Sequence, residues 1–179
     1  MHLLESHIDN LDFDNITLTE CWAQIDFCIP YIEGYNYMDS PNVSGKSGGD
    51  ILYYKSSLKC QNVDVSHLIC KNSDTEAIKA NFPKCNSIVV LIYRHPTSNV
   101  NGFLESMENI LDLELLNRDS KVIICGDFNI DFLKTSSKSE AFKNPIKSFD
   151  FKYNFTIPTR VTNSSYSCID HVIIKPKHC

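Results

Sequence analysis

The stretch KVIICGDFNI, residues 121–130, decides the fold because an apolar strand pattern runs directly into a polar turn. Its nearly continuous β-branched residues are typical of a strand that is buried on both faces. Asp127 and Asn129 lie two residues apart, which points both side chains to one side if the extended conformation continues. A carboxylate that activates water and an amide that donates to a phosphate oxygen suit phosphoryl chemistry. A plain strand-to-loop turn is the alternative explanation, because Gly, Asp and Asn are common turn residues.

Short apolar runs separated by turn-forming clusters extend outward from this stretch. They predict further strands at 15–19, 51–58, 63–70, 87–94 and 167–175. Apolar residues three and four apart predict an amphipathic helix at 101–116, and a second helix is expected at 139–153 although Pro145 lies inside it. Residues 41–50 are rich in Gly, Ser and Asn and predict a loop. Strands that dominate, with helices connecting some of them, indicate an α+β or layered α/β fold.

Length and charge limit the possible functions. A chain of 179 residues suits one domain with a real core. Its net charge of −5 argues against a general DNA-coating role, but not against an enzyme whose carboxylates hold a metal that meets the phosphate. No apolar run is long enough for a bilayer span, and the N-terminus has no signal-peptide pattern. We therefore expect an intracellular protein, nuclear or cytoplasmic, that is not secreted and has no membrane partner.

The eight cysteines do not indicate a metal knuckle. No pair has the CxxC spacing of a zinc site, and several lie inside apolar runs, such as Cys125 and Cys168. Buried reduced thiols are the favoured interpretation.

The segment GDFNID, residues 126–131, resembles the GDFN signature of the endonuclease/exonuclease/phosphatase (DNase I-like) superfamily. Four other segments resemble that family's motifs LxET, GGVALYV, IYxPP and SxIDxI in the same order. They are LTECW (18–22), GGDILYY (48–54), IYRHP (92–96) and CIDHVII (168–174). The phrase PTRVTNSSYSCIDHV (158–172) is similar to what endonuclease domains of non-LTR retrotransposons carry. The resemblance implies a four-layered α/β sandwich of the DNase I-like type.

The resemblance also implies roles for five residues of the site. Glu20 resembles the metal ligand of the family, so Mg²⁺ or Mn²⁺ is the expected cofactor. Asp127 resembles the aspartate that positions the attacking water, and Asn129 the residue that holds the scissile phosphate. Tyr93 resembles a tyrosine that contacts the same phosphate, and Asp170 an aspartate that orients a catalytic histidine.

Substrate and partner follow from the same resemblance. Thr159 and Arg160 are the expected substrate-binding residues, with DNA as the substrate. A reverse transcriptase domain in the full-length element is the implied partner. His171 is expected to be structural, because it faces away from Asp170 along a strand.

The sequence departs from the family pattern at both ends. The family's first-strand asparagine, which precedes LxET, has no counterpart, and neither does the SDH motif that follows SxIDxI. His178 is too near Asp170 in sequence to be that histidine. Residues 1–179 are thus expected to form a single domain truncated at both ends, which implies weak or absent activity and low stability.

Three functions remain open from the sequence. The first is a metal-dependent endonuclease that nicks DNA, and the second is a family phosphatase that acts on inositol phosphates or lipids. The third is a non-catalytic remnant of such a domain. The PTRVT phrase favours the first, and the lack of a cluster of basic residues argues against the second.

Overall fold

The computed structural model describes residues 12–21, 29–40, 49–115, 119–153 and 157–175. Its strands are β1 Asn15–Leu18, β2 Tyr35–Ser40, β3 Asp50–Lys55, β4 Gln61–Val63, β5 Thr75–Phe82, β6 Ser87–Arg94, β7 Lys121–Asp127, β8 Lys152–Tyr153, β9 Arg160–Val161, β10 Tyr166–Ser167 and β11 Asp170–Lys175. Its α-helices are α1 Val100–Leu115 and α2 Ser137–Ser148, with 3₁₀ turns at Ser66–Leu68 and Pro83–Cys85. Of the loop predicted at 41–50, residues 41–48 lie outside the described residues, whereas Asp50 belongs to β3 and not to a loop. The predicted helix end at 116 also lies outside the described residues.

Two sheets and a short hairpin make up the β structure. The small sheet is antiparallel and has the order β1-β3-β2, whereas the large sheet has the order β4-β5-β6-β7-β11-β8. Within the large sheet, β6 and β7 are parallel and α1 makes the crossover between them. Strands β9 and β10 form the separate hairpin. This mixed architecture confirms the α+β class and the DNase I-like sandwich that the sequence predicted.

Apolar side chains form a layer on each face of the large sheet. Leu52 of the small sheet packs with Ile78, Val89 and Leu91 of the large sheet. On the opposite face, the helices pack against the alternate residues of the same strands. That second layer contains Ile88, Val90, Ile92, Phe103, Met107, Phe142 and Ile146. Strand β6 is therefore buried on both faces, as its continuous apolar sequence predicted.

Side-chain caps fix the beginnings of both helices. The Oδ1 atom of Asn99 accepts the backbone N–H of Asn101 at 3.0 Å at the start of α1. Ser136 and Ser139 form a reciprocal capping box at the start of α2. Helix α2 contains Pro145 but ends at Ser148, so the prediction of a helix reaching residue 153 was wrong. The chain instead turns after Ser148 and enters β8.

The sequence misplaced one strand and missed others. The predicted strand at 63–70 is wrong, because the Asp64 carboxylate accepts the N–H of Ser66 and starts a 3₁₀ turn there. Strand β5 was missed, since its pattern is interrupted by polar residues. One of them, Lys79, is buried and forms an ion pair with the buried Glu114 of α1. Strand β2 was also missed, because half of its residues are exposed and none is buried.

Two sequence-based expectations concern thiols and membranes. Six cysteines lie in the described part of the chain and none of them forms a disulfide there, and Cys125 and Cys168 are buried. None of the described helices has the length and apolar character needed to cross a bilayer.

Gly126 is the tightest point of the sheet. Its φ is +139°, and a Cβ atom added there would lie 1.9 Å from the carbonyl oxygen of Ile92 on β6. We predict that Gly126→Ala lowers the free energy of unfolding by about 3–5 kcal/mol, because strain and a backbone clash act together. Urea unfolding followed by circular dichroism measures this loss.

Gly34→Ala is the matched control for this prediction. Gly34 also has a positive φ, +79°, but no atom lies within 4 Å of its added Cβ. This control is expected to lose only about 1–2 kcal/mol from the left-handed backbone. Equal losses for the two variants would contradict the close packing of β7 against β6.

Candidate active site

Asp127 and Asp170 lie opposite each other on neighbouring strands. Asp127 ends β7, Asp170 begins β11, and the two are direct partners in the antiparallel register. Asp127 is 8% exposed, whereas Asp170 is exposed. The end of the large sheet therefore presents one sheltered and one solvent-facing carboxylate.

A left-handed turn after Asp127 places Asn129. The φ of Asn129 is +49°, so the extended conformation on which the period-two expectation depended ends at Asp127. The backbone N–H of Asn129 donates to Asp127 Oδ1 at 2.9 Å, and its Nδ2 donates to the carbonyl oxygen of Arg94 at 2.8 Å. A turn, and not strand alternation, therefore fixes the two side chains: that of Asp127 on the Asn129 backbone, and that of Asn129 on the Arg94 carbonyl.

Arg94 is a positioning residue that the sequence analysis missed. Its side chain is buried, with Nε donating to the Phe128 carbonyl at 2.7 Å and Nη2 to the Asn129 carbonyl at 2.9 Å. These bonds fix both peptides of the turn that follows Asp127. The sequence signal for Arg94 was its place at the end of the most apolar strand. A buried arginine needs several hydrogen-bond acceptors, so such a position indicates that it holds neighbouring groups in place.

Glu20 and Tyr93 connect the two sheets. Glu20 follows β1 in the small sheet, is exposed and has a φ of +54°. The hydroxyl of the buried Tyr93, on β6 of the large sheet, donates to Glu20 Oε1 at 2.7 Å. The predicted metal ligand and the predicted phosphate-contacting tyrosine are therefore direct partners.

The pKa of Asp127 indicates which charges surround it. The pKa of Asp127 is raised from its ordinary value to about 6. Burial is the main cause and the negative charges of Asp170 and Glu20 add to it, while the N–H of Asn129 and the charge of Arg160 act in the opposite direction. Glu20, Asp170 and Arg160 all act electrostatically on Asp127. The structure thus brings Glu20, Tyr93, Asp127, Asn129 and Asp170 to one place.

Thr159 and Arg160 lie beside Asp170. The hydroxyl oxygen of Thr159 accepts the backbone N–H groups of Ile169 and Asp170, both at 3.1 Å, and so fixes the start of β11. Arg160 is exposed on β9. A cavity of about 250 Å³ lined by Thr17, Thr19 and Asp170, among others, opens next to them between the two sheets.

His171 is structural, as expected. It is 3% exposed, its Nε2 lies 2.8 Å from the carbonyl oxygen of Ile130, and its ring centroid lies 3.8 Å from that of Phe132. Burial lowers its pKa, so the neutral ring is favoured. His178 lies outside the described residues.

Two further carboxylates that the sequence analysis missed lie at the same end of the sheets. Glu76, the cross-strand partner of Tyr93, accepts hydrogen bonds from Ser40 Oγ at 3.1 Å and from the N–H of Gly49 at 3.0 Å. Asp50 is 0% exposed, and burial together with the charge of Glu76 raises its pKa to about 8. An acidic residue at the start of the apolar run ILYY was the signal for Asp50.

Carboxylate and amide oxygens of this kind are the ligands that Mg²⁺ and Mn²⁺ prefer. Within the described ranges, no three His, Cys, Asp or Glu side chains are arranged so that they enclose a metal ion. Any cation held here would therefore take the rest of its ligands from water and substrate, which is usual for Mg²⁺.

Two facing sheets with carboxylates gathered at the ends of their strands define a class of hydrolases that contains phosphodiesterases, phosphatases and nucleases. The sequence matches the Endonuclease/Exonuclease/phosphatase family over residues 1–179, and the chain belongs to this family. A search of curated proteins finds no match.

Several solved structures share the fold. The endonuclease domain of TRAS1, a telomere-specific non-LTR retrotransposon, is 12% identical with a TM-score of 0.62, over 95% of this chain and 76% of that one. The 3′ phosphatase NExo from Neisseria, bound to a product DNA hairpin, is 13% identical with a TM-score of 0.66, over 98% and 81%. The human Nocturnin catalytic domain is 15% identical with a TM-score of 0.61, over 97% and 73%. At these identities the similarity shows the fold alone.

The raised pKa of Asp50 generates a prediction about stability and pH. A folded pKa of about 8 against an ordinary value of 3.8 means that the contribution of Asp50 to stability is present at low pH and is lost as pH rises through 8. Asp50→Asn removes this titration. In EDTA, we expect the wild type to lose stability relative to Asp50→Asn as the pH rises from about 5 to about 9. The difference between their free energies of unfolding should shift in favour of the variant by at least on the order of 1 kcal/mol over this range.

Urea unfolding of both proteins at several pH values measures this difference. Asp39→Asn, at an exposed position on β2, is the control and is expected to show no such trend. A difference between Asp50→Asn and the wild type that stays constant with pH would contradict the buried, charge-crowded environment of Asp50.

Proposed function

We propose that this chain is a divalent-metal-dependent phosphodiester hydrolase that nicks DNA. The observation that carries the proposal is the position of Asp127 between the Glu20–Tyr93 pair and Asp170. An acid with a pKa of about 6 is partly ionised near neutrality, which suits a group that takes a proton from water. Its neighbours carry the groups that hold a phosphate.

Each of the other side chains contributes a separate interaction. Asn129 donates one amide N–H to the Arg94 carbonyl, and its second amide N–H can donate to a phosphate oxygen. The Tyr93 hydroxyl lies beside the Glu20 carboxylate and can stabilise charge that develops on the same phosphate. Arg94 holds the turn in place, so these donors need little reorganisation during reaction.

The donor set fits a hard divalent cation. Glu20 is exposed, and its Oε1 oxygen accepts one hydrogen bond from Tyr93, so the carboxylate has remaining acceptor capacity. When bound, Mg²⁺ or Mn²⁺ supplies Lewis-acid polarisation of the phosphate and lowers the pKa of a coordinated water.

The hairpin of β9 and β10 supports DNA as the substrate. It projects beside Asp170 and exposes Val161 at 73% and Tyr166 at 66%, together with Arg160. An exposed aromatic ring and a guanidinium next to a phosphate site suit contacts with bases and with the nucleic-acid backbone. Such a projecting arm is of little use for a small phosphate monoester.

A retrotransposon origin is the finer form of this proposal. The PTRVTNSSYSCIDHV phrase supports it, and the fold shared with the TRAS1 endonuclease domain is compatible with it. A reverse transcriptase in the same element would then use the nicked strand. The DNA-bound phosphatase from Neisseria shows that a protein of this fold can hold DNA.

A plasmid assay tests the activity. We predict that the purified chain converts supercoiled plasmid to nicked circles in Mg²⁺, and that Glu20→Gln and Asp127→Asn reduce the rate by about 100-fold or more. EDTA is expected to abolish nicking. The same assay measures whether activity is weak or absent, as the two missing family motifs predict.

Glu108→Gln serves as the control, because Glu108 is an exposed acid on α1 outside the site. Its nicking rate is expected to equal that of the wild type. Nicking that survives Glu20→Gln, or phosphate release from inositol phosphates without any nicking of DNA, would contradict the proposal.

A further inference from the structure

Asp50 is a buried carboxylate that the proposed chemistry does not use. Its side chain is 0% exposed, and neither of its oxygens accepts a hydrogen bond of ordinary geometry from the described residues. Buried polar groups nearly always have partners, because an unsatisfied carboxylate in the interior is strongly destabilising. Asp50 therefore needs an explanation beyond packing.

The charged groups around Asp50 make its ionised form still less favourable. The groups whose charges act on it are Glu76, Asp127 and Glu20, and all three are acidic. The nearby backbone N–H of Glu20 offsets this only in part. One oxygen of Glu76 is already satisfied by Ser40 and Gly49. Among the described residues, no lysine, arginine or histidine is close enough to neutralise Asp50.

Asp50 lies at the acidic end of the cleft between the two sheets, on the same face of β3 as Leu52, which packs against the large sheet. It begins β3 in the small sheet, directly after Gly49, whose N–H is held by Glu76 of the large sheet. Asp127 approaches from the large sheet, and Glu20 lies at the exposed mouth. The motif GGVALYV, which this segment resembles, has valine at the same place. A valine would be accommodated there without any partner.

We propose that Asp50 is a second protein ligand for a hard divalent cation, which it holds together with Glu20 at the inner wall of the cleft. The inference rests on the proposed function, since it adds a residue to the cation site of that hydrolase. A pair of carboxylates suffices for Mg²⁺ or Mn²⁺, because these ions complete their coordination with water and phosphate oxygens.

Binding of Mn²⁺ to the whole chain tests the inference without any reaction. Free Mn²⁺ is measured by electron paramagnetic resonance during a titration at neutral pH in the absence of DNA. Asp50→Asn and Asp50→Val are expected to weaken the affinity by roughly tenfold or more, as is usual when a metal site loses a supporting residue. Asp39→Asn, on the neighbouring strand β2, is expected to bind as the wild type does.

Two substitutions of Asp50 are used, so that the test still gives a result if one of the variants folds poorly. Asparagine preserves shape, and valine restores the residue of the related motif, so a loss of affinity in both folded variants supports the inference. Unchanged affinity in either folded variant overturns it. Failure of the wild type to bind Mn²⁺ overturns it as well.

The inference and the proposed function fail separately. If Mn²⁺ binds in an Asp50-dependent way but plasmid is never nicked, the cation site stands and the nuclease proposal is lost. If Glu20→Gln abolishes nicking while both Asp50 variants bind Mn²⁺ as tightly as the wild type, only the assignment of Asp50 is lost.

Discussion

The hydrogen bond from Tyr93 to Glu20 is the interaction on which the site depends, because it joins the small sheet to the large one at their acidic end. Glu76, the strand neighbour of Tyr93, makes a second connection through Ser40 and Gly49. Hydrogen bonds to a charged group contribute about 1.5–3 kcal/mol each, and here the bond from Tyr93 also sets the spacing between the end of β1 and β6. The apolar layer behind them provides adhesion but no such directional constraint.

The arrangement concentrates negative charge in a partly buried place, and this opposes folding. Burial and mutual repulsion raise the pKa values of Asp50 and Asp127 to about 8 and about 6. Functional sites often carry such unfavourable electrostatics, because groups arranged for a ligand are left uncompensated without it. Arg94 interacts electrostatically with Asp127, but its hydrogen-bond donors are used by Ser98 and by the carbonyl oxygens of the turn after β7. The divalent cation that we propose would supply a counter-charge at this acidic end.

Sequence patterns predicted the parts of the fold that depend on local signals. The apolar run of β6 gave its bounds, and the GDFN, LxET and SxIDxI resemblances brought Asp127, Glu20 and Asp170 together as candidates. Strand β5 was not predicted from the sequence, because its buried Lys79 is stabilised by an ion pair with Glu114, a residue distant in sequence. Asp50 and Arg94 were not predicted as site residues for a similar reason. Both are buried only because the two sheets and the helices pack together, and a sequence pattern does not show this burial. The roles of the site residues remain predictions.

Line broadening by Mn²⁺ in NMR spectra of the amide-labelled protein tests most directly whether these strands meet around one cation. The account predicts that substoichiometric Mn²⁺ selectively broadens the amides of Glu20, Asp50, Asp127 and Asp170, which come from both sheets. Amides of the Pro83–Cys85 turn, at the opposite end of β5 and β6 from Glu76 and Tyr93, are expected to stay sharp. Broadening centred on other acidic residues, such as Asp39 and Asp64, or spread evenly over the surface, would contradict a shared cation site.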